Sequence, residues 1–140
     1  MIDLTSEFGR AVERHLQNEY VIWLTTVDSK LTPQPRPVWF IWEQDSFLIF
    51  SQPAAYKVKH IKMNSRVALH FNSDERGDQH VIIFLGYASI DANCPPPHKI
   101  SAYLNKYKSG ITDLGSTPEE FSREYSAAIR IRPTELRGWE

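Results

Sequence analysis

The alternation of apolar and polar residues predicts a chain built mainly from short strands. Runs of β-branched and aromatic residues, several with alternating polarity, are typical of a half-buried sheet. The predicted strands are residues 20–27, 34–42, 47–51, 66–72, 80–91 and 126–132. Short polar turns join the first three, which predicts an antiparallel meander. Gly86 in the middle of the fifth strand predicts a bulge or a bend at a barrel corner.

Helices are predicted where apolar residues recur at three- and four-residue spacing. Asp3, Thr5 and Ser6 are candidate caps for a first helix, which carries Val12 and Leu16. The other predicted helices are residues 54–63, residues 98–108 and a short helix that begins at Thr117. Six strands with few parallel crossovers predict a mainly β, α+β fold, namely an antiparallel barrel with peripheral helices. No linker or repeat interrupts the pattern, so residues 1–140 are expected to form a single domain.

Composition narrows the classes of function. The 16 basic and 17 acidic side chains nearly cancel, which gives no reason to expect a nucleic-acid or membrane partner. Cys94 is the only cysteine, so neither an internal disulfide nor a cysteine-rich zinc site is expected. The sequence has no signal-peptide pattern and no apolar run of about 20 residues, so a cytoplasmic location is expected.

Motifs that would supply chemistry directly are missing. The sequence contains no phosphate loop, no GxGxxG dinucleotide fingerprint and no GxSxG nucleophile elbow. The five histidines are never spaced as neighbouring ligands with a third ligand nearby, so no metal site is predicted. No pair of carboxylates is arranged for acid–base work, and no catalytic residue can be assigned. If the protein is an enzyme, a bound cofactor is expected to supply the chemistry.

Two adjoining segments carry the strongest signals. Residues 33–42 contain Pro33, Pro35 and Pro37 at every second position, so this strand lacks ladder donors on one side only. Such a strand either borders a groove or interface, or is an edge strand protected from aggregation by its prolines.

The second segment begins where the third strand ends. Here the chain starts a helix that carries Lys57 and Lys59. A helix N-terminus with nearby lysines suits a phosphate group. The alternative is a solvated basic face.

Together, these segments resemble the flavin-binding, pyridoxamine 5'-phosphate oxidase-like split-barrel family. The resemblance covers about residues 18–90 and continues more loosely to the end. It is carried by residues 24–28, 35–40, 50–52, 57–61 and 64–69 and by the long strand through Gly86. It implies a six-stranded antiparallel split β-barrel with peripheral helices. It also implies a homodimer that binds FMN at the subunit interface and acts on a small-molecule substrate.

The resemblance implies a role for several residues. Arg36 matches the arginine that reaches the phosphate or ribityl side of the flavin, and Lys57 matches the phosphate-binding lysine. Val38 matches a residue whose main chain meets the isoalloxazine ring, while Phe50 and Ser51 match the strand end that bonds its pyrimidine edge. The cofactor site implied in this way consists of Arg36, Pro37, Val38, Trp39, Phe50, Ser51, Gln52, Lys57 and Lys59.

Departures from the family pattern keep the function open. The true pyridoxamine-phosphate oxidases carry a substrate lysine where this chain has Ile41, and Tyr56 stands where a second phosphate-binding arginine is usual. An apolar side chain cannot pair with a substrate phosphate, which argues against vitamin B6 oxidation. Residues 37–40 and the Arg-Gly-Trp ending instead resemble the small branch of the family assigned to deazaflavin-dependent reduction.

Four functions therefore remain open at this stage. They are an FMN-dependent oxidoreductase, a deazaflavin-dependent reductase, a non-catalytic flavin-binding module and a haem-binding module. The haem alternative would require a histidine facing an apolar pocket, for which His60, His70 and His98 are nominal candidates.

Trp39, Trp42 and Trp139 are candidates to pack over a ring. The sequence leaves open whether residues 92–125 cover the site.

Overall fold

A computed structural model describes residues 1–140 as one sheet flanked by helices. Its strands are β1 (Val21–Val27), β2 (Pro33–Trp39), β3 (Ile41–Glu43), β4 (Ser46–Ser51), β5 (Arg66–His70), β6 (Val81–Ile90) and β7 (Ala127–Trp139). Its helices are α1 (Glu7–Asn18), α2 (Tyr56–Met63), α3 (Ser101–Asp113) and α4 (Pro118–Glu124), with a 3₁₀ turn at Pro97–Lys99. No helix has the length and apolar character needed to cross a membrane.

All strands belong to one antiparallel sheet in the order β2-β1-β5-β6-β7-β4-β3. Its two edge strands, β2 and β3, are consecutive in the chain and are separated by Phe40 alone. Because one residue joins the two edges, the sheet must curl back on itself. The mainly β, split-barrel fold class predicted from the sequence is confirmed.

The sheet has seven strands, and the prediction of six was wrong at one place. The predicted strand 34–42 is divided at Phe40 into β2 and β3. The Phe40 N–H donates to the hydroxyl oxygen of Tyr107 at 2.7 Å, and the Phe40 ring is fully buried. Helix α3 therefore supplies the bond that an unbroken strand would have found in a neighbouring strand.

The bulge predicted at Gly86 is confirmed. The pairing of β6 with β7 shifts register between Leu85 and Gly86. A Cβ atom on Gly86 would lie 2.3 Å from the carbonyl oxygen of Arg132, so only glycine fits this close approach. β7 continues past the predicted end at residue 132 and pairs with β6 as far as Trp139.

Two apolar clusters form the core. The larger cluster fills the barrel and includes Val12 and Leu16 from α1. The smaller cluster joins β3, β4 and β7 to α3 and α4 and is rich in aromatic rings. Side-chain caps fix two helix starts: Ser6 accepts from the N–H of Gly9, and Thr117 accepts from the N–H of Glu120. Trp39 of edge strand β2 packs against the smaller cluster, so α3 and α4 lie beside β2.

Candidate functional site

An apolar cavity of about 340 Å³ lies between the β2 edge and helices α3 and α4. We call it the apolar groove. Its lining is nearly all aromatic or aliphatic and comes from six elements and from the residues that follow α3 and α4: Val21, Pro37, Val38, Trp39, Phe50, Lys57, Tyr103, Leu114, Phe121 and Tyr125. Lys57 is the only charged residue among them. The groove is therefore suited to a flat apolar ring with one charged end.

A second cavity, of about 280 Å³, adjoins the apolar groove and is polar. We call it the cationic pocket. Its walls are Thr26, Gln34, Arg36, Pro37, Ala55, Tyr56, Lys57 and His60. Pro37 and Lys57 line both cavities, so the two form one continuous surface. Of the three prolines of edge strand β2, only Pro37 lines these cavities, so both interpretations of residues 33–42 hold in part: one proline borders a groove, and all three lie on a sheet edge.

The electrostatics of the cationic pocket favour an anion. Burial lowers the pKa of Lys57, and the nearby positive charge of Arg36 lowers this pKa further. No aspartate or glutamate lines either cavity. The Arg36 guanidinium is exposed and donates only to the carbonyl oxygen of Pro35, at 2.7 Å. A bound phosphate would provide the counter-charge that these two side chains lack.

The start of α2 adds backbone donors to the same pocket. Ala55 occupies the N-cap position and gives no side-chain hydrogen bond to the first turn. The first N–H groups of a helix have no partner within the helix and carry partial positive charge. His60, from the same helix, has its Nδ1 2.9 Å from the hydroxyl of buried Thr26 in β1. The pocket therefore combines charged side chains with helix N–H donors.

Most residues of the sequence-predicted site are brought together. The residues that line the apolar groove or the cationic pocket are Arg36, Pro37, Val38, Trp39, Phe50 and Lys57. Ser51, Gln52 and Lys59 do not line either cavity. Ser51 is buried, and its hydroxyl donates to the backbone carbonyl of Gln52. The side-chain amide of Gln52 donates to the carboxylate of Glu124 at 2.9 Å. The Lys59 ammonium lies 5.5 Å from the centre of the Tyr56 ring.

The aromatic wall of the groove comes from α3 and α4. The Trp39 ring stacks on Tyr107 at 4.6 Å and on Phe121 at 5.8 Å. The Phe50 ring meets Tyr103 edge-on at 5.0 Å. Sequence analysis missed this wall because aromatic residues at helical spacing look like ordinary core positions. Part of the segment 92–125 therefore lines the groove.

Other candidate residues lie outside the apolar groove. Trp42 packs edge-on against Phe47 in the barrel, and the Trp139 indole donates to the carbonyl oxygen of Asp78. Cys94 is a free thiol whose pKa is raised chiefly by burial.

None of the three nominal haem ligands faces the apolar groove. His60 lies in the cationic pocket. His70 stacks on Trp23, and His98 is bonded to Ser122.

Similarity to known proteins agrees with this geometry. The model of the pyridoxamine 5'-phosphate oxidase family matches residues 8–140. No curated protein matches the chain at a significant level.

Three solved structures share the fold. An F420 reductase is 22% identical, with a TM-score of 0.67 and coverage of 89% of this chain and 94% of that one. A FAD-binding protein from Mesorhizobium loti is 14% identical, with a TM-score of 0.65 and coverage of 91% of this chain and 88% of that one. The haem storage protein HutZ from Vibrio cholerae is 15% identical, with a TM-score of 0.66 and 94% coverage of each chain.

At such low identities the three structures establish the fold alone. The family match, by contrast, spans nearly the whole chain, including every strand and every residue that lines the apolar groove and the cationic pocket. The chain belongs to the pyridoxamine 5'-phosphate oxidase family.

Proposed function

We propose that the protein is an FMN-binding oxidoreductase that acts on a small molecule. The observation that carries this proposal is the continuity of the apolar groove with the cationic pocket through Lys57. FMN has a flat ring at one end and a phosphate dianion at the other, and the two cavities match these ends in polarity. The FAD-binding neighbour supports a flavin in this fold.

The residues have separate roles in this proposal. Arg36, Lys57 and the first turn of α2 hold the phosphate. Val38, Trp39 and Phe50 position the ring and exclude water from one of its sides. The bound flavin supplies hydride transfer, and the protein supplies binding and orientation. Ile41 is buried in the core beside α3 and cannot hold a substrate phosphate, so we do not propose vitamin B6 oxidation.

We also propose that a homodimer completes the site. The rim of the apolar groove exposes apolar side chains, with Val21 at 37% and Leu114 at 62% of full exposure. A second copy of the chain would cover this rim and leave the ring between subunits. A cytoplasmic location and the lack of nucleic-acid and membrane partners stay predictions from composition.

A deazaflavin coenzyme is the second candidate, and one of the structures that share this fold is an F420 reductase. The cationic pocket would suit the charged tail of that coenzyme for the same reason that it suits the phosphate of FMN. The haem alternative is less well supported, because no histidine lines the apolar groove.

The first test is the absorption spectrum of the purified protein, with mass spectrometry of any compound released on denaturation. Released FMN supports the proposal. A released deazaflavin moves the protein to the reductase class, and a haem spectrum overturns the flavin assignment. A colourless protein that also fails to bind added FMN contradicts the site itself.

A thermodynamic cycle tests the role of Lys57. We expect Lys57→Gln to weaken FMN binding by about 10- to 100-fold, because a charge-assisted hydrogen bond contributes roughly 1.5–3 kcal/mol. Riboflavin lacks the phosphate, so its affinity should change little. Lys59→Gln is the matched control from the same helix and should leave both affinities near those of the wild type. Equal losses for FMN and riboflavin would contradict phosphate binding by Lys57.

A further inference from the structure

Three side chains with metal-binding atoms meet at a place that shares no residue with the apolar groove or the cationic pocket. His15 belongs to α1, His80 directly precedes β6, and Glu140 directly follows β7. The ligand atoms of these residues lie within 4.8 Å of one another. Sequence analysis predicted no metal site, because these residues come from distant segments of the chain.

The contact between His80 and Glu140 has the spacing of two ligands on one ion. Nδ1 of His80 is buried and has no hydrogen-bond partner, although Oε1 of Glu140 lies only 3.3 Å away. Buried ring nitrogens normally find a partner. Two ligands of tetrahedral Zn²⁺, each about 2.0–2.1 Å from the metal, are themselves separated by about 3.3 Å. The distance therefore fits a shared ion, while the misaligned geometry does not make a hydrogen bond.

The third imidazole is oriented by a neighbouring carboxylate. Nδ1 of His15 lies 3.2 Å from Oε1 of Glu19, one helical turn further along the chain. When a carboxylate accepts from one ring nitrogen, the other nitrogen keeps its lone pair for a metal. The rings of His15 and His80 are 5.8 Å apart between their centroids.

The backbone holds the His80 and Glu140 side chains near each other. His80 has a φ of +57°, in the left-handed region that few residues other than glycine adopt. Its N–H donates to the carbonyl oxygen of Glu140 at 2.9 Å, next to the pair formed by Val81 and Trp139 at the end of the β6–β7 ladder. The two ligands are thus fixed by main-chain bonds that do not depend on an ion.

We propose that His15, His80 and Glu140 form a binding site for one divalent transition-metal ion, with Zn²⁺ as the reference. Two imidazoles and one carboxylate are ligands that Zn²⁺ accepts, and they leave a fourth position for water. Glu19 is a positioning residue that holds the His15 ring. The side chains of His15 and Glu140 remain 23% and 49% exposed, which gives the ion a route from solvent. The ion would tie α1 to the ends of β6 and β7.

The test is calorimetric titration of the untagged, chelator-treated protein with Zn²⁺, together with its melting temperature in Zn²⁺ and in excess chelator. We expect one Zn²⁺ per chain and a higher melting temperature with the ion. Glu140→Gln changes an exposed side chain, and His80→Asn keeps a residue that tolerates a positive φ. Each variant should weaken binding by at least about 100-fold, more than the 10- to 100-fold typical of an outer-shell change such as Glu19→Gln.

The control is Glu13→Gln, an exposed carboxylate on α1 outside the cluster, which should bind Zn²⁺ as the wild type does. Co²⁺ gives an independent signal, because a four-coordinate site produces intense visible bands that Glu140→Gln should abolish. The proposal is overturned if the wild type shows no saturable Zn²⁺ binding. It is equally overturned if Glu140→Gln and His80→Asn both bind with wild-type affinity.

Discussion

The positive charge of Lys57 favours binding of a phosphate but lowers the stability of the ligand-free protein. Its ammonium is partly buried beside Arg36, and both conditions lower its pKa from the ordinary value of 10.5. In the ligand-free protein this charge is unfavourable, since it has lost water and gained no counter-ion. Positions of this kind are typical of binding sites, where function limits stability.

We expect Lys57→Met to raise the melting temperature of the ligand-free protein while it weakens FMN binding. The gain should be small, about 1–2 °C at neutral pH, because the ammonium is still partly in contact with solvent. Differential scanning calorimetry of the ligand-free variant measures the effect. Lys59→Met is the matched control and should not stabilise. A lower melting temperature for Lys57→Met than for Lys59→Met would contradict this account.

The same lysine gives the stability difference a defined pH dependence. In the unfolded chain Lys57 keeps its proton up to about pH 10.5, whereas in the folded protein it loses the proton at lower pH. Between these pKa values the unfolded state binds more protons at this site, so the contribution of Lys57 to the wild-type free energy of unfolding rises with pH. The stability that Lys57→Met gains over the wild type should therefore shrink as the pH approaches 10.5. An advantage that grows with pH would contradict the assigned direction of the pKa shift.

At the scale of elements, α3 holds the bend between β2 and β3. The Tyr107 hydroxyl accepts from the N–H of Phe40 and lies 2.7 Å from the carbonyl oxygen of Tyr20. The Lys106 ammonium donates to the carbonyl of Phe40 at 2.9 Å. These bonds fix the point at which the sheet turns from one edge strand to the other. Trp39, which lines the apolar groove, directly precedes this point.

We expect Tyr107→Phe to lower the free energy of unfolding by about 1–3 kcal/mol, because the buried N–H of Phe40 loses its acceptor. Urea denaturation measures this loss. Since the bend positions Trp39, FMN affinity should also fall. Tyr125→Phe removes a hydroxyl from the same wall and serves as the control, with a smaller expected loss. Equal stabilities of the two variants would show that the Tyr107 hydroxyl is not what holds the bend.

Features that depend on interactions between residues close in the chain could be predicted from the sequence, and features that depend on contacts between distant residues could not. The Thr117 cap and the Gly86 bulge were predictable, because local conformation or one close backbone approach determines each. The break at Phe40 was hidden, because β-forming residues flank it and its partner, Tyr107, lies far along the chain. A sequence pattern carries no record of such a distant hydrogen bond.

The candidate site follows the same rule. Lys57 could be proposed as a phosphate ligand from its position at a helix start, whereas Arg36 was assigned through the family resemblance alone. Thr26 and His60 could not be predicted, because each looks like an ordinary interior or surface position until the fold brings them within 2.9 Å. Ser51 is adjacent in sequence to the groove residue Phe50, but successive side chains of a strand point to opposite faces.

At the scale of the whole molecule, the exposed rim of the apolar groove leads to a prediction about assembly. If a second copy covers this rim, sedimentation should give twice the chain mass of 16.2 kDa, and Leu114→Lys should weaken both dimerisation and FMN binding at least about tenfold. A lysine at position 114 would place a charge against an apolar partner surface. Leu31→Lys is the control, since Leu31 is 74% exposed and lies outside both cavities. A monomeric wild type that binds FMN tightly would contradict the shared site, and so would a Leu114→Lys variant that stays dimeric.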